Sequence, residues 1–457
     1  MYYFDICVKI KAERGGKMFL PVNAEKIIDL LTENGFKAYA VGGCVRDFLL
    51  EKACDDVDIA TSALPEKTES IMINNGIKVF ETGLKHGTVT AVMNGEHYEI
   101  TTFRKDGDYK DSRRPETVDF VSDIADDLSR RDFTVNAMAY NHNEGVVDLF
   151  GGKADLENGI IRAVGNPDKR FNEDALRIMR ALRFSSVLGF TIEENTKKAI
   201  FENMHLLNNI SAERIFIELT KLLTGENALS VLDEYREVIG VNIPELKPCF
   251  DCVQNNPWHI YNVYGHIIHS VAAAPKDKII RLAMLLHDIG KPQVKTTDEN
   301  GIDHFKTHAV VSADIAEKVL KGFKVSNEIL DKVTKLVYYH QSVENVEDIR
   351  IKRWLSRIGE DYTRALLQVR IADLLAHNPE KTDYELEKIK ELQISLEETV
   401  AAGAAFKISD LKINGNDLIS LGYEGKEIGE KLNELLALVV DDKLENDREK
   451  LIEYLKN

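Results

Sequence analysis

No run in the 457-residue sequence approaches 18 consecutive apolar residues, so a membrane-spanning helix is not expected. A signal-peptide pattern is missing too, because Lys9, Lys11, Glu13 and Arg14 break up the amino-terminal stretch. Cysteine is scarce and odd in number, five in all. That argues against a disulfide framework and fits reduced thiols in the cytoplasm. Cys249 and Cys252 form a single C-x-x-C without a second pair. A zinc site needs more ligands, so the spacing reads as fortuitous. Positive charge is also short: 59 Lys and Arg against 76 Asp and Glu leave a net charge of −17. A sequence-nonspecific nucleic-acid coat is therefore not expected. A local basic groove is still possible, since residues 160–183 hold Arg162, Lys169, Arg170, Arg177, Arg180 and Arg183 against Asp168, Glu173 and Asp174.

Apolar residues make up 44% and charged residues 30%, an ordinary globular mixture, and the length suggests two to four domains. The organising stretch is Ala38-Tyr39-Ala40-Val41-Gly42-Gly43-Cys44-Val45-Arg46-Asp47, followed by Asp55-Asp56-Val57-Asp58-Ile59-Ala60-Thr61. Tyr39 to Val41 reads as a buried strand. Two glycines then let the backbone approach a ligand, and a short helix from Val45 to Glu51 offers its amino-terminal N–H groups to phosphate. Asp56 and Asp58 read as part of a second strand, where residues two apart share a side. Adjacent carboxylates repel unless a cation sits between them, and Mg2+ commonly takes one or two carboxylates plus substrate phosphates. Gly43, Arg46, Asp56 and Asp58 thus point to a site for a metal-bound nucleoside triphosphate.

Downstream, Pro65 opens a helix. Lys78–Phe80, Thr88–Met93 and His97–Phe103 read as strands, the last two joined by an Asn94-Gly95 turn. Glu99 lies in an alternating strand able to face the Asp-x-Asp strand, as a metal ligand, a base for an attacking hydroxyl, or a charged residue on an open sheet face. Residues 104–115 carry both signs of charge, have no apolar period and end in proline, which reads as a mobile loop. Leu128-Ser129-Arg130-Arg131-Asp132-Phe133-Thr134 reads as a helix start. Phe171 to Phe184 has the apolar spacing of one helix. Asp174, Arg177, Arg180 and Arg183 recur on it every three positions, with Asp174 and Arg177 neighbours on one face. An Asp acceptor beside an Arg donor can pair with the Watson–Crick edge of cytosine or adenine. The plainer alternative is a salt-bridged, solvated helix face.

The segments Gly42-Gly43-Cys44-Val45-Arg46-Asp47, Asp56-Val57-Asp58, Arg130-Arg131-Asp132-Phe133-Thr134 and Glu173-Asp174-x-x-Arg177 together resemble the class II nucleotidyltransferases, the family of CCA-adding enzymes and bacterial poly(A) polymerases. The resemblance covers most of the chain from about residue 18. It implies an α/β nucleotidyltransferase head, a small mixed sheet with helices, followed by a mostly α-helical neck, HD domain, body and tail. The expected divisions are an extension 1–17, a head 18–165, a neck 166–250, an HD domain 257–378 and a tRNA-binding body and tail 379–457. The implied activity is template-independent addition of CCA to the tRNA 3′ end from CTP and ATP, with two Mg2+ ions on Asp56 and Asp58 and a functional acid at Glu99. Gly43, Arg46 and Arg131 would hold phosphates, Asp174 and Arg177 would select C or A, and Arg180 and Arg183 would meet phosphate or tRNA. The loop at 104–115 speaks against a CC-only enzyme. The sister activities, poly(A) synthesis or addition of A alone, remain open.

Residues 257–378 hold most of the 12 histidines. Clustered imidazole and carboxylate groups suit a borderline divalent metal, which makes a bound water nucleophilic. The His287-Asp288 pair before Gly290-Lys291 resembles the HD phosphohydrolase superfamily. That resemblance implies His266, His287, Asp288 and Asp373 as ligands, with His308 and His340 for a second metal or a substrate phosphate, and 2′,3′-cyclic phosphodiesterase or phosphatase chemistry. A rival reading makes the chain an HD phosphohydrolase whose head only binds RNA.

Overall fold

The computed structural model describes residues 20–54, 56–84, 87–107, 118–341 and 351–456. The extension at 1–17, Asp55 and most of the charged loop at 104–115 lie outside these residues. The chain divides into two compact units, residues 1–227 and 228–457. The division falls inside the stretch 166–250.

The first unit opens with helix α1 (Val22–Glu33), strand β1 (Ala38–Val41), α2 (Gly43–Leu49), β2 (Ile59–Thr61) and α3 (Pro65–Asn74). The hairpins β3 (Lys78–Gly83), β4 (Thr88–Met93) and β5 (Glu96–Thr102) follow, then β6 (Arg104–Asp106), β7 (Val118–Phe120), α4 (Ile124–Ser129), β8 (Met138–Asn141) and β9 (Gly145–Asp148). Seven strands form one mixed sheet in the order β3-β4-β5-β2-β1-β8-β9. Only β2 and β5 run parallel, with Ile59 beside Ile100, while the other neighbours are antiparallel. Asn94 and Gly95 turn β4 into β5 with φ of 54° and 84°, as a two-residue hairpin requires. One sheet face buries Tyr39, Val41, Ala60 and Ala139 against Ile124 and Leu128 of α4. This anchors the segment that runs on to Arg130 and Arg131.

Helices then take over: α5 (Gly152–Glu157), α6 (Pro167–Glu173), α7 (Leu176–Leu188), α8 (Glu194–Asn203) and α9 (Ala212–Leu223), with a short parallel pair β10 (Ile160–Ile161) and β11 (Thr191–Ile192) between. Gly152 sits tightly under the turn after Phe133: a Cβ there would stand 2.3 Å from the Thr134 carbonyl and 2.9 Å from Met138 Cγ. Gly152→Ala should therefore lower the thermal midpoint, with an overpacking cost of about 1–3 kcal/mol, measured by calorimetry.

The second unit is helical. It comprises α10 (Ala228–Glu234), α11 (Arg236–Asn242), α12 (Val263–Ala273), α13 (Lys278–Leu286), α14 (Lys291–Val294), a two-strand ribbon β12 (Thr296–Thr297) and β13 (Asp303–His304), α15 (His308–Gly322), α16 (Asn327–Tyr339), α17 (Ile351–Ile358), α18 (Glu360–Leu375) and α19 (Pro379–Ala401). A closing module follows, α20 (Gly415–Ser420), α21 (Lys426–Val440) and α22 (Arg448–Lys456), with its own core around Leu418, Leu435 and Leu451. Every residue of α13 from Ile280 to Leu286 is buried, the mark of a central helix. It packs against α12, α16 and α18 and ends directly at His287 and Asp288. In the tail Asn414 caps α20, and the Asp417 carboxylate accepts from its N–H. No helix among the described residues is long and apolar enough to cross a membrane.

Candidate functional site

β1 ends at Gly42, whose φ of 75° suits glycine, and α2 begins at Gly43 rather than at Val45. A Cβ on Gly42 would lie 2.8 Å from Arg131 Nη1, so the missing side chain makes room for that guanidinium. Arg131 donates to Asp127 Oδ2 at 3.2 Å. Arg46 is buried, donating to Asn136 Oδ1 at 2.7 Å and to both oxygens of Asp47.

Asp56 and Asp58 do not lie in a strand, contrary to the expectation from sequence. Strand β2 starts at Ile59, and the two acids occupy the approach to it. The alternation still holds, because Val57 is buried while both neighbours are exposed, and the Asp58 carbonyl accepts from Val41 N at 3.0 Å. The parallel register continues Ile59–Ile100 back toward Asp58 and Glu99. The acids sense one another: burial, then Asp56, then Glu99 hold the Asp58 carboxyl above its ordinary range, with Arg131 opposing them. Asp58 thus has two other carboxylates and one guanidinium in electrostatic range, and carboxylate oxygens are the donor type that suits Mg2+.

The stretch from Phe171 to Phe184 differs from the single helix expected. Asp174 breaks it, with φ −142° and ψ 102°, between α6 and α7. Its carboxylate accepts from Leu176 N at 3.1 Å and from Arg214 Nη2 at 2.9 Å. Arg177 is buried and donates to Glu173 Oε2 at 2.8 Å, to the Arg170 carbonyl and to the Arg130 carbonyl. Asp174 and Arg177 therefore do not share a helix face, and each is held by named partners. Arg180 donates to Asp132 at 2.7 Å, and Arg183 pairs with Glu218 at 3.0 Å. Arg46 and Arg183 both lie over the Phe184 ring, 5.1 and 4.0 Å from its centre. The Arg130-Arg131 step links the two halves: Arg131 faces Asp58, and the carbonyl of Arg130 takes Arg177. Arg130 and Arg131 follow the end of α4 rather than start a helix.

Asp132, Asn136, Asp127 and Arg214 were not assigned to a site from sequence. Asp132 stands inside the Arg-Arg-Asp run, but its partner is 48 positions away. Burial raises its carboxyl, yet Arg180 and Asn136 hold it well below the ordinary range. A depressed carboxylate adds stability above its unfolded pKa, about 3.9, and loses it as pH falls toward the folded value. Asp132→Asn should cost roughly 1–3 kcal/mol at neutral pH, since Arg180 keeps partial access to water. That deficit should shrink below about pH 4, as followed by urea melts of native chain and variant.

The second unit brings its histidines together where α12, α13, α15, α16 and α18 meet. His266 Nε2 lies 3.2 Å from His287 Nε2, 3.3 Å from Asp288 Oδ2 and 3.0 Å from Asp373 Oδ1. His287 Nε2 lies 3.4 Å from Asp288 Oδ2 and 3.6 Å from Asp373 Oδ1. The other Asp288 oxygen faces His308 Nε2 at 3.0 Å and His340 Nε2 at 3.7 Å, which are 3.2 Å apart. All four rings turn Nδ1 to a backbone carbonyl, of Ala376, Met284, Phe305 and Val337. A donated Nδ1–H leaves Nε2 as a lone pair pointing inward. Such lone pairs 3.2 Å apart are poorly matched unless something positive lies between them. Neither Asp288 oxygen accepts a well-aligned hydrogen bond, although Lys291 Nζ is 2.6 Å from Oδ2. Ligands about 2.0–2.2 Å from one ion are about 3.0–3.6 Å from each other, which is the spacing found. The donor set thus fits two divalent cations sharing Asp288. Burial pushes His266 down to about 4 and His340 to about 3, while burial of Asp288 is outweighed by His287 and Lys291, which hold it low.

Comparison with known proteins finds relatives along most of the chain. "Poly A polymerase head domain" matches residues 38–162, "Probable RNA and SrmB- binding site of polymerase A" matches 189–239, and "tRNA nucleotidyltransferase domain 2 putative" matches 296–455. A CCA-adding enzyme of Lactobacillus delbrueckii subsp. bulgaricus is 35% identical over 433 residues, spanning 94% of this chain and 96% of its own. One from Enterococcus faecalis is 36% identical over 435 residues, 95% of each. The crystal structure of a Bacillus stearothermophilus CCA-adding enzyme in complex with CTP superposes with a TM-score of 0.70 at 31% identity, over 96% of this chain and 98% of that one. With identity of this degree along nearly its whole length, the chain belongs to the CCA-adding enzyme family of tRNA nucleotidyltransferases.

Proposed function

We propose that the chain adds CCA to the 3′ end of tRNA from CTP and ATP in the cytoplasm. The observation that carries this is Asp58 in electrostatic range of Asp56, Glu99 and Arg131 beside a glycine turn, in a chain related to CCA-adding enzymes over 94–95% of its length. Asp56 and Asp58 would hold two Mg2+ ions, which would activate the primer 3′-hydroxyl and stabilise the leaving pyrophosphate. Glu99 stands beside them as a third oxygen donor or as acceptor for the hydroxyl proton. Arg131 and the amino-terminal end of α2 at Gly43 steady the triphosphate, and Arg46 braces α2 through Asn136. Asp174 and Arg177 read the amine donor and ring-nitrogen acceptor that cytosine and adenine share. Arg214 and Glu173 set the angle of that pair. Arg180 and Arg183, tied to Asp132 and Glu218, hold the reading helix and add positive potential toward phosphate. A tRNA transcript lacking CCA tests the reading: CTP alone should extend it by C-C, both nucleotides by C-C-A, after which extension should stop. Runs of A would favour poly(A) polymerase, and extension by A only on a C-C end would favour the A-adding sister.

The second unit supports a further activity at residues 257–378, a phosphohydrolase centre of HD type. Its carrying observation is the four histidine Nε2 atoms turned inward around Asp288 and Asp373. Divalent metal held there supplies a nucleophilic water, and the chemistry expected is hydrolysis of a 2′,3′-cyclic or terminal phosphate on damaged tRNA. Release of inorganic phosphate, or ring opening of a cyclic phosphate end, would be measured with metal added. A metal-loaded chain inert on both would remove this part of the proposal.

A further inference from the structure

We infer that His259 and His377 hold a third divalent cation at the mouth of the histidine centre, and that this ion enters only together with a phosphate group. This third site deepens the phosphohydrolase reading of residues 257–378 and rests on it. The donor set around Asp288 leaves two neighbouring imidazoles unused. One ring nitrogen of each of His259, His266 and His377 lies within 4.8 Å of the other two. The ring centres of His259 and His377 are 4.5 Å apart, and both rings pack against His266, at 5.3 and 4.6 Å. His266, His287, His308 and His340 are buried, whereas His259 and His377 are partly exposed. With a ligand ring on one side and water on the other, these two stand between the metal-binding side chains and solvent.

Their nitrogens suit a cation. His377 Nδ1 lies 2.8 Å from the Asp373 carbonyl. A carbonyl only accepts, so Nδ1 carries the proton and Nε2 keeps its lone pair. His259 Nδ1 is buried and has no hydrogen-bond partner among the described residues, which is costly unless something occupies it. The backbone holds the two rings together in advance. Asn378, next to His377, donates its N–H to the Trp258 carbonyl at 2.9 Å and its Nδ2 to the Pro257 carbonyl at 3.2 Å. His259 N closes the same turn on the Asn256 carbonyl at 3.0 Å. Nitrogens bound to one ion at about 2.0–2.1 Å lie up to about 4 Å apart, a separation within reach of these rings.

Charge decides when the ion binds. Asp288 and Asp373 are the carboxylates of the centre, and each already meets a buried cation. Lys291 Nζ is 2.6 Å from Asp288 Oδ2, and Arg370 Nη1 is 2.7 Å from Asp373 Oδ2. Two divalent ions on these acids leave the centre positive, so a third is repelled unless an anion comes with it. A terminal phosphate monoester supplies that anion, with a charge of about −1.5 to −2 at pH 7. Phosphate alone against the His377 Nε2 lone pair is a mismatch, and a cation between them removes it. Two protein nitrogens leave the ion with open positions for phosphate oxygens.

The full-length chain, stripped with chelator, would be dialysed to equilibrium against Mn2+ with and without inorganic phosphate, and its manganese counted by plasma mass spectrometry. Ions held by the first unit count equally in the native chain and in His259→Ala and His377→Ala, so differences between them belong to the second unit. Phosphate should add one ion per chain to the native protein and none to either variant, with the counts in its absence unchanged. Anomalous diffraction from native crystals soaked with both should place the added ion between His259 and His377, a result that needs no variant to fold. A native count that does not rise with phosphate, or an added ion that both variants keep, would overturn the third site. Phosphate seated on the two rings with no manganese between them would overturn it as well. Asp288→Ala separates this outcome from failure of the reading beneath it. Equal counts for that variant and the native chain without phosphate would remove the phosphohydrolase centre and the third site with it. A count that depends on Asp288 but not on phosphate would remove the third site alone.

Discussion

Asp58→Ala is expected to lower incorporation of CTP and ATP into a tRNA transcript by about a thousandfold or more, with circular dichroism unchanged. Several kcal/mol of charge stabilisation are lost with one such carboxylate, and each 1.36 kcal/mol is tenfold in rate. Asp58 is the acid most tightly held in the group: Val41 N fixes its carbonyl, Glu99 stands in the next parallel strand, and Arg131 faces it. A companion result separates a built site from a chance acidic surface. Burial first, then Asp56 and Glu99, keep the Asp58 carboxyl above its ordinary range, so at neutral pH its charged form works against folding. A raised carboxylate costs stability above its unfolded pKa. Asp58→Asn should therefore raise the thermal midpoint in chelator at pH 7 while removing activity. A lower midpoint would mean that the carboxylate is satisfied and not held in reserve for a cation.

Asp288→Ala has the second large effect, on the other unit. Both oxygens of this residue are in use, one toward His266 and His287, the other toward His308. Its loss should empty both halves of the centre, so metal retained after gel filtration, read by plasma mass spectrometry, should fall to background. Lys291 would be left buried with the Gln254 oxygen as acceptor but without its counter-charge, a cost of up to about 3–5 kcal/mol that should appear as a lower midpoint. CCA addition should continue, because its acids and arginines belong to the other compact unit. Loss of phosphohydrolysis with metal still bound would point to a different ligand set.

Local signals read well from the sequence. Asn94-Gly95 marked its hairpin, Pro65 its helix start, and the glycines after Val41 the turn into α2, because each constrains its own backbone. The alternation Asp56-Val57-Asp58 was legible for the same reason, although the strand itself begins one residue later. What escaped were pairings set by tertiary packing. Nothing between Phe171 and Phe184 announces a break, since Asp174 carries no breaker signal and the apolar period runs through it. The break exists because Arg214, 40 positions on, and the Leu176 N–H both claim the Asp174 carboxylate. Arg46 with Asn136, 90 positions apart, and Arg131 over Gly42 are contacts of the same kind. The histidine types and their clustering were visible. The sharing of Asp288 between two pairs of rings was not, because it depends on five helices converging at the end of α13.

The account rests on the claim that Asp56 and Asp58, the acids leading into β2, hold the ions that serve the triphosphate. Anomalous diffraction at the manganese edge, from crystals grown with Mn2+ and a non-hydrolysable CTP analogue, tests it most directly. The predicted result is manganese bound by Asp56 and Asp58, with the triphosphate alongside and its phosphates toward Arg131 and Gly43. Manganese absent from these acids while the analogue is bound, or an analogue seated away from them, would contradict it.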